Sequence, residues 1–339
     1  MLPVSPLADV VVSQAVRCRY CVGRDLGLYA VPLHPPHPES TAPLSHTLTD
    51  SKANLCGLND VIIALGHDNM ERFERLRNRD NEIFEVFKEF FPWTVPLLGK
   101  ATVPSKTIQV FIQFITNMDF LKTGIFDLCE SDNLYAANIL YRSMIEHHLR
   151  FMYVWFRHLK ERTDSAADDY LTSCYLDEAI KYGKSWRRVA KLVGDVPGED
   201  PITVIRRIHP GLVNESAKSI QEKADKFKVP IIMEFLIQNW RSSDAMKESR
   251  PDLLMKLLPL YSELCSFVHG GPDAFRETLA LGDEAKRTNE NVRVAQEAWL
   301  LAATVKLLSL LALYRYDKRF GHPYHKIDRI FKKGPDSID

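Results

Sequence analysis

From residue 53 onward the chain keeps an apolar rhythm of about 3.6 residues, and no other feature constrains its fold as strongly. Phe73, Leu76, Ile83, Phe87 and Phe90 recur at spacings of 3, 4 and 7. Ile108, Phe111, Ile112 and Ile115 form the next stripe, behind Ser105 as a helix N-cap. Long helices are expected over 132–161 and over 165–193, the second ending at Gly194. Residues 194–213, with Pro197, Pro201, Pro210 and Gly211, read as an irregular connection. Shorter helices are expected over 214–228 and 231–240. Pro251 sits in the first turn of another, which stops at Gly270-Gly271-Pro272, and a final long helix covers 288–318. Nowhere do β-branched residues alternate between turn signals, as strands require. The expected fold class is all-α: a multi-helix bundle of about eight to ten helices with no substantial sheet.

Three regions follow. Residues 1–52 hold seven of the nineteen prolines and are expected to form a disordered leader. Residues 53–320 are expected to fold as one large helical domain, and 321–339 as a basic C-terminal tail. Within the leader, Cys18, Cys21, His34 and His37 imitate a zinc-finger spacing. Pro35, Pro36 and Pro38 keep that histidine pair off a helix, so no metal is expected. The apolar run Trp299–Tyr314 is 16 residues long and contains Lys306, short of the roughly 20 residues that span a bilayer. It reads as the central strut of the bundle, with Lys306 reaching out at one edge, and no membrane partner is expected.

The chain has 44 Lys+Arg and 44 Asp+Glu, so any binding to nucleic acid or to an acidic surface must come from a local patch. The basic pairs Arg187-Arg188 and Arg206-Arg207 read as isolated and solvated. Six cysteines, most of them scattered singly through helical patterns, do not make a disulfide framework. A reducing, cytoplasmic setting is expected. P-loop, GxGxxG, HExxH and GxSxG signatures are absent, and no cofactor is expected.

Two polar lines remain. Around Tyr141–Phe151, Arg142, Glu146, Arg150, Tyr153 and Arg157 share one narrow face of an otherwise apolar helix. Such a line is either an i,i+4 ion-pair ladder or a polar site between helices. In the segment Tyr261–Pro272, Ser262, Ser266 and His269 share one edge of a core stripe. His269 stands at a helix C-terminus, where it either caps free carbonyls or serves a site. Buried polar lines satisfy one another by facing, so Arg142, Glu146 and His269 are expected to meet, with Ser262 and Ser266 in support.

The segments YRSMIEHHLRFMY and YSELCSFVHGGP resemble the hallmarks of an uncharacterised bacterial all-helical family of unknown function. That family pairs an Arg-x-x-x-Glu helix with a Ser-x6-His-Gly helix end. More distantly, the chain is similar to the HEPN superfamily, helical domains of toxin–antitoxin and antiphage systems. Many of those are dimeric, metal-independent ribonucleases with an Arg-x4-6-His motif, which Arg142 and His147 fit in spacing. The resemblance implies a defence or stress role and a homodimer. In an RNA-cleaving member, His147 or His269 would move the proton, Arg142 would stabilise the phosphorane and Glu146 would orient Arg142. On one helix Arg142 and His147 point about 140° apart. Two readings therefore stand: a non-catalytic interaction or sensor module, and a ribonuclease.

Overall fold

The computed structural model describes the backbone of residues 52–100, 102–194, 199–242, 252–280 and 282–333. The expected disordered leader and its zinc-like cysteines and histidines lie outside the described residues. The chain divides into two compact units, Met1–His67 and Asp68–Asp339. Among the described residues the fold is all-α without a strand, as the periodicity requires.

The helices are α1 (Lys52–Phe90), α2 (Val95–Leu98), α3 (Ser105–Glu130), α4 (Leu134–Glu161), α5 (Ser165–Val193), α6 (Pro201–Ile208), α7 (Ala217–Asp225), α8 (Val229–Ser242), α9 (Asp252–His269), α10 (Pro272–Ala280), α11 (Glu284–Tyr314) and α12 (Gly321–Lys333). In the second unit α3, α4 and α11 pack on one another. Their faces show why: Phe111, Phe114, Met118, Phe151, Val154, Trp299 and Val305 are almost entirely buried. α4 is buried on nearly every side between His148 and Phe156, and α8 and α9 cover it further. α5 closes a smaller cluster with α6 and α7, built from Leu176, Ile180, Ile205, Ile220 and Ala224. Gly183 lets α5 approach α6 closely, since a Cβ there would stand 2.5 Å from the Pro201 ring.

Several boundaries differ from expectation, each for a local reason. Ser105 is not the cap of α3. The carboxylate of Asp164, from the α4–α5 turn, accepts from the Thr107 N–H at 2.8 Å and from its hydroxyl at 3.0 Å. The stretch expected to be irregular contains α6, because Pro201 occupies a first turn, where proline is favourable. Gly270-Gly271-Pro272 stops one helix and starts the next. Gly270 is left-handed, Gly271 N–H reaches back to the Ser266 carbonyl at 2.8 Å, and Pro272 opens α10. The expected basic tail begins with a helix instead. α12 buries Ile327 and stacks Phe331 on Trp299, ring centroids 5.8 Å apart.

α11 is the one described helix long and apolar enough to cross a membrane, and most of its apolar window is buried inside the bundle. The strut expected over Trp299–Tyr314 is therefore present, but its charge is misplaced in the expectation. Lys306 does not reach out at an edge; it is 1% exposed. Leu308 and Leu311 are only half-buried, whereas Leu310 is in the core. Leu310→Ala should cost about 3 kcal/mol in chemical denaturation, and Leu308→Ala distinctly less, because cavity cost follows burial.

Candidate functional site

The Arg–Glu line expected on α4 is a ladder between helices. Antiparallel packing sets α9 beside α4. Tyr135 OH donates to the Phe267 carbonyl at 2.9 Å, and further along Arg142 meets Tyr261 and Cys265. Every nitrogen of the Arg142 guanidinium has a partner, using three of its five N–H donors. Nη2 donates to Tyr261 OH at 2.7 Å, Nε to Cys265 Sγ at 3.4 Å and Nη1 to Glu146 Oε2 at 3.3 Å. Its carbon lies 4.8 Å from the Tyr261 ring centroid, a cation–π contact. The other Glu146 oxygen accepts from Arg150 Nη2 at 2.5 Å. The three ladder side chains are about a fifth exposed. Burial lowers the Arg142 pKa, but its bond to Cys265 and the nearby Tyr261 and Glu146 outweigh burial, so the net shift is upward. Burial raises the Tyr261 hydroxyl. The line continues as expected: Tyr153 packs on Phe227 and Phe235, and Arg157 bonds Glu161 and Asp169. It thereby ties α4 to α9, α8 and α5 in turn.

The remaining expected members are elsewhere. His147 is half-buried, and its Nδ1 hydrogen-bonds the Ser143 carbonyl at 2.8 Å, one turn back on its own helix. Ser262 is exposed and donates to the Leu258 carbonyl at 3.1 Å. Ser266 accepts from the Ala274 N–H at 2.9 Å, which makes it a cap for α10. His269 is exposed at the end of α9. The expected meeting of His269 with Arg142 and Glu146 is corrected by register. Phe267 lies opposite Tyr135, and Glu146 is eleven residues further along α4, about 16 Å at 1.5 Å per residue. Two helices that pack antiparallel separate the end of one from the middle of the other, however well their polar lines match.

A second charged cluster gave no signal in the sequence because it joins three distant helices. Lys122 of α3 donates to Asp80 at 2.6 Å and to Asp119 at 2.8 Å, and Lys306 of α11 donates to the same Asp119 oxygen at 2.5 Å. Both ammonium groups are buried. Burial pushes the Asp119 carboxyl up, but Lys122 and Lys306 outweigh it and hold the pKa at about 2. Burial moves Lys306 the other way, below the ordinary amine value, because Asp119 offsets only part of the cost. The cleft described below does not reach this cluster, and its chemistry is that of a buried ion-pair network.

A cleft of about 240 Å³ opens where α4 begins, bounded by α9, α10 and α11. Tyr135, Asn138, Phe267, Glu277, Arg287 and Glu290 line it. Asn138 is 6% exposed, and its amide makes no hydrogen bond with a described residue. The cleft thus presents an amide donor and acceptor beside the first backbone N–H groups of α4. Among the described residues no group of three His, Cys, Asp or Glu side chains is placed to hold a metal ion.

No curated protein and no solved structure matches the chain. A family model does match, over residues 110–286, from within α3 to the first turn of α11. That span is just over half of the sequence and contains the whole ladder, α9 and α10. The chain therefore belongs to DUF5677, a family of unknown function.

Proposed function

We propose that the protein is a non-catalytic interaction or sensor module in which the Arg142–Glu146–Arg150 ladder braces α9 against α4. The observation that carries this reading is the engagement of Arg142 with α9 and with its own helix. Each guanidinium nitrogen has a partner inside the fold, so three of its five N–H donors are committed to Tyr261, Cys265 and Glu146 and hold the group against α9. Arg142 and His147 also bond different neighbours, so the Arg-x4-His spacing does not make a joint site within one chain. A sensed ligand would enter the cleft at Asn138, whose amide is engaged by no described residue. The defence or stress setting rests on the resemblance alone.

The test compares RNA cleavage with stability in the full chain. Wild type and an Arg142→Ala/His147→Ala/His269→Ala variant should cleave labelled RNA equally little. Glu146→Gln should lower stability by about 1–2 kcal/mol, because one arm of a charge-assisted pair is lost. Cleavage by wild type that disappears in folded His147→Ala or His269→Ala would establish the ribonuclease reading instead.

A further inference from the structure

The cleft at the start of α4 is lined by a polar side chain that the fold itself does not use. Asn138 is 6% exposed, yet neither its oxygen nor its nitrogen bonds a described residue. Native folds leave few polar groups at that depth without a partner. Its amide lines the cleft, so whatever fills that space becomes its partner. Leu134 and Tyr135 stand one turn before Asn138 on the same face of α4. Phe267 of α9 meets the Tyr135 ring, centroids 5.4 Å apart. The amide is thus set among apolar walls.

The charge of the cleft disfavours an anion. Asp132, Glu277 and Glu290 line it, together with Arg287. Arg287 Nε donates to Asp132 at 2.7 Å, and Arg293, one turn along α11 from Glu290, donates to Glu290 at 2.8 Å. Even with Arg293 counted, acids outnumber bases. A helix N-terminus ordinarily invites an anion, but here the Asn133 side chain already accepts from the Ala136 N–H at 3.2 Å. The volume of about 240 Å³ lies below the roughly 300 Å³ at which sites for drug-sized ligands begin, so the space suits one or two rings.

We propose that this cleft binds a small, uncharged planar ring bearing a primary-amide or lactam edge, and that such a ring is what the sensor module reads. Asn138 Oδ1 accepts an N–H of the ligand while Nδ2 donates to its carbonyl, the pairing that one amide edge makes with another. Leu134, Tyr135 and Phe267 hold the flat apolar body. An amine or guanidinium would suit Oδ1 and the acids, but it offers no acceptor to Nδ2. A carboxylate or phosphate would suit Nδ2, but it offers no donor to Oδ1 and meets the acids. The bound ring touches α4, α9, α10 and α11 together, so occupancy ties the same two helices that the Arg142 ladder braces. The inference rests on the sensor reading. The RNA-cleavage assay judges that reading without reference to the cleft, so either can fail alone.

The test titrates three compounds built on one pyridine ring into the full chain, followed by saturation-transfer NMR: nicotinamide, methyl nicotinate and nicotinate. Nicotinamide should bind with a Kd of roughly 1 mM, which is what a ligand of its size achieves. Methyl nicotinate lacks the N–H donors and nicotinate is an anion, so each should bind at least roughly tenfold more weakly. Asn138→Leu should weaken nicotinamide binding at least roughly tenfold. It should melt at or above the wild-type temperature, because the fold loses no hydrogen bond with that amide. The compound series needs no variant, so it tests the pairing even where Asn138→Leu folds poorly. Three results would overturn the proposal: no binding of nicotinamide at roughly 10 mM, equal binding of the three compounds, or undiminished binding of nicotinamide to folded Asn138→Leu.

Discussion

Asp119→Ala should destabilise the protein by about 4 kcal/mol, because it leaves Lys306 buried with its hydrogen-bonded carboxylate gone. Lys122 keeps Asp80, so the loss concentrates on Lys306, whose charged form burial already disfavours. The cost comes from stranding a charge and is not a measure of what the ion pair contributes. An Asp119→Leu/Lys306→Met double variant should therefore recover most of the loss, since apolar side chains of similar size often replace a buried pair at little cost. Urea denaturation of the three proteins checks this. Additive losses in the double variant would show that the pair is not one unit.

The second large effect is a two-stage loss of stability in acid. His148 is 1% exposed, its Nδ1 has no partner, and burial lowers its pKa to about 4. An unfolded histidine takes up its proton near pH 6.5, so the unfolded state binds more protons between pH 6.5 and 4. Stability is therefore complete above about pH 6.5 and falls by about 3 kcal/mol as the pH drops to 4. Asp119 acts below that. Its folded pKa lies near 2, under the unfolded carboxylate value, so its contribution is present above about pH 4 and is lost toward pH 2. His148→Leu should remove most of the first stage and leave the second, because His158, also lowered by burial, keeps the remainder. Denaturation midpoints measured from pH 7 to pH 3 check both, and an unchanged slope between pH 6.5 and 4 in His148→Leu would refute the assignment.

What the sequence made legible was whatever a single helix determines. The periodicity of Phe73 to Phe90 and of Ile108 to Ile115, and the stop at Gly194, are local properties, and the helices stand where those patterns put them. Arg142, Glu146 and Arg150 are also one-helix neighbours, so the ladder could be read from i,i+4 spacing. α6 is a local miss, since Pro201 opens a helix as readily as it breaks one, and the other failures involve two helices. Polarity alone pairs His269 with Glu146, and polarity carries no register. A lysine in an apolar run has no local partner and so reads as an edge residue, whereas the partner of Lys306, Asp119, lies 187 residues away. Asp164 caps a helix that starts 59 residues earlier, so Ser105 looked like the better cap.

The central claim is that the Arg142 ladder is a brace between α4 and α9, and a double-mutant cycle on Arg142 and Tyr261 tests it most directly. Arg142→Met, Tyr261→Phe and the double variant are unfolded in urea, and the coupling between the two sites is extracted. Contact at 2.7 Å with ring stacking predicts a coupling of about 1 kcal/mol, reduced from the value of a fully buried pair because the ladder is partly exposed. Additivity of the two substitutions, with each variant as stable as wild type, would contradict the account.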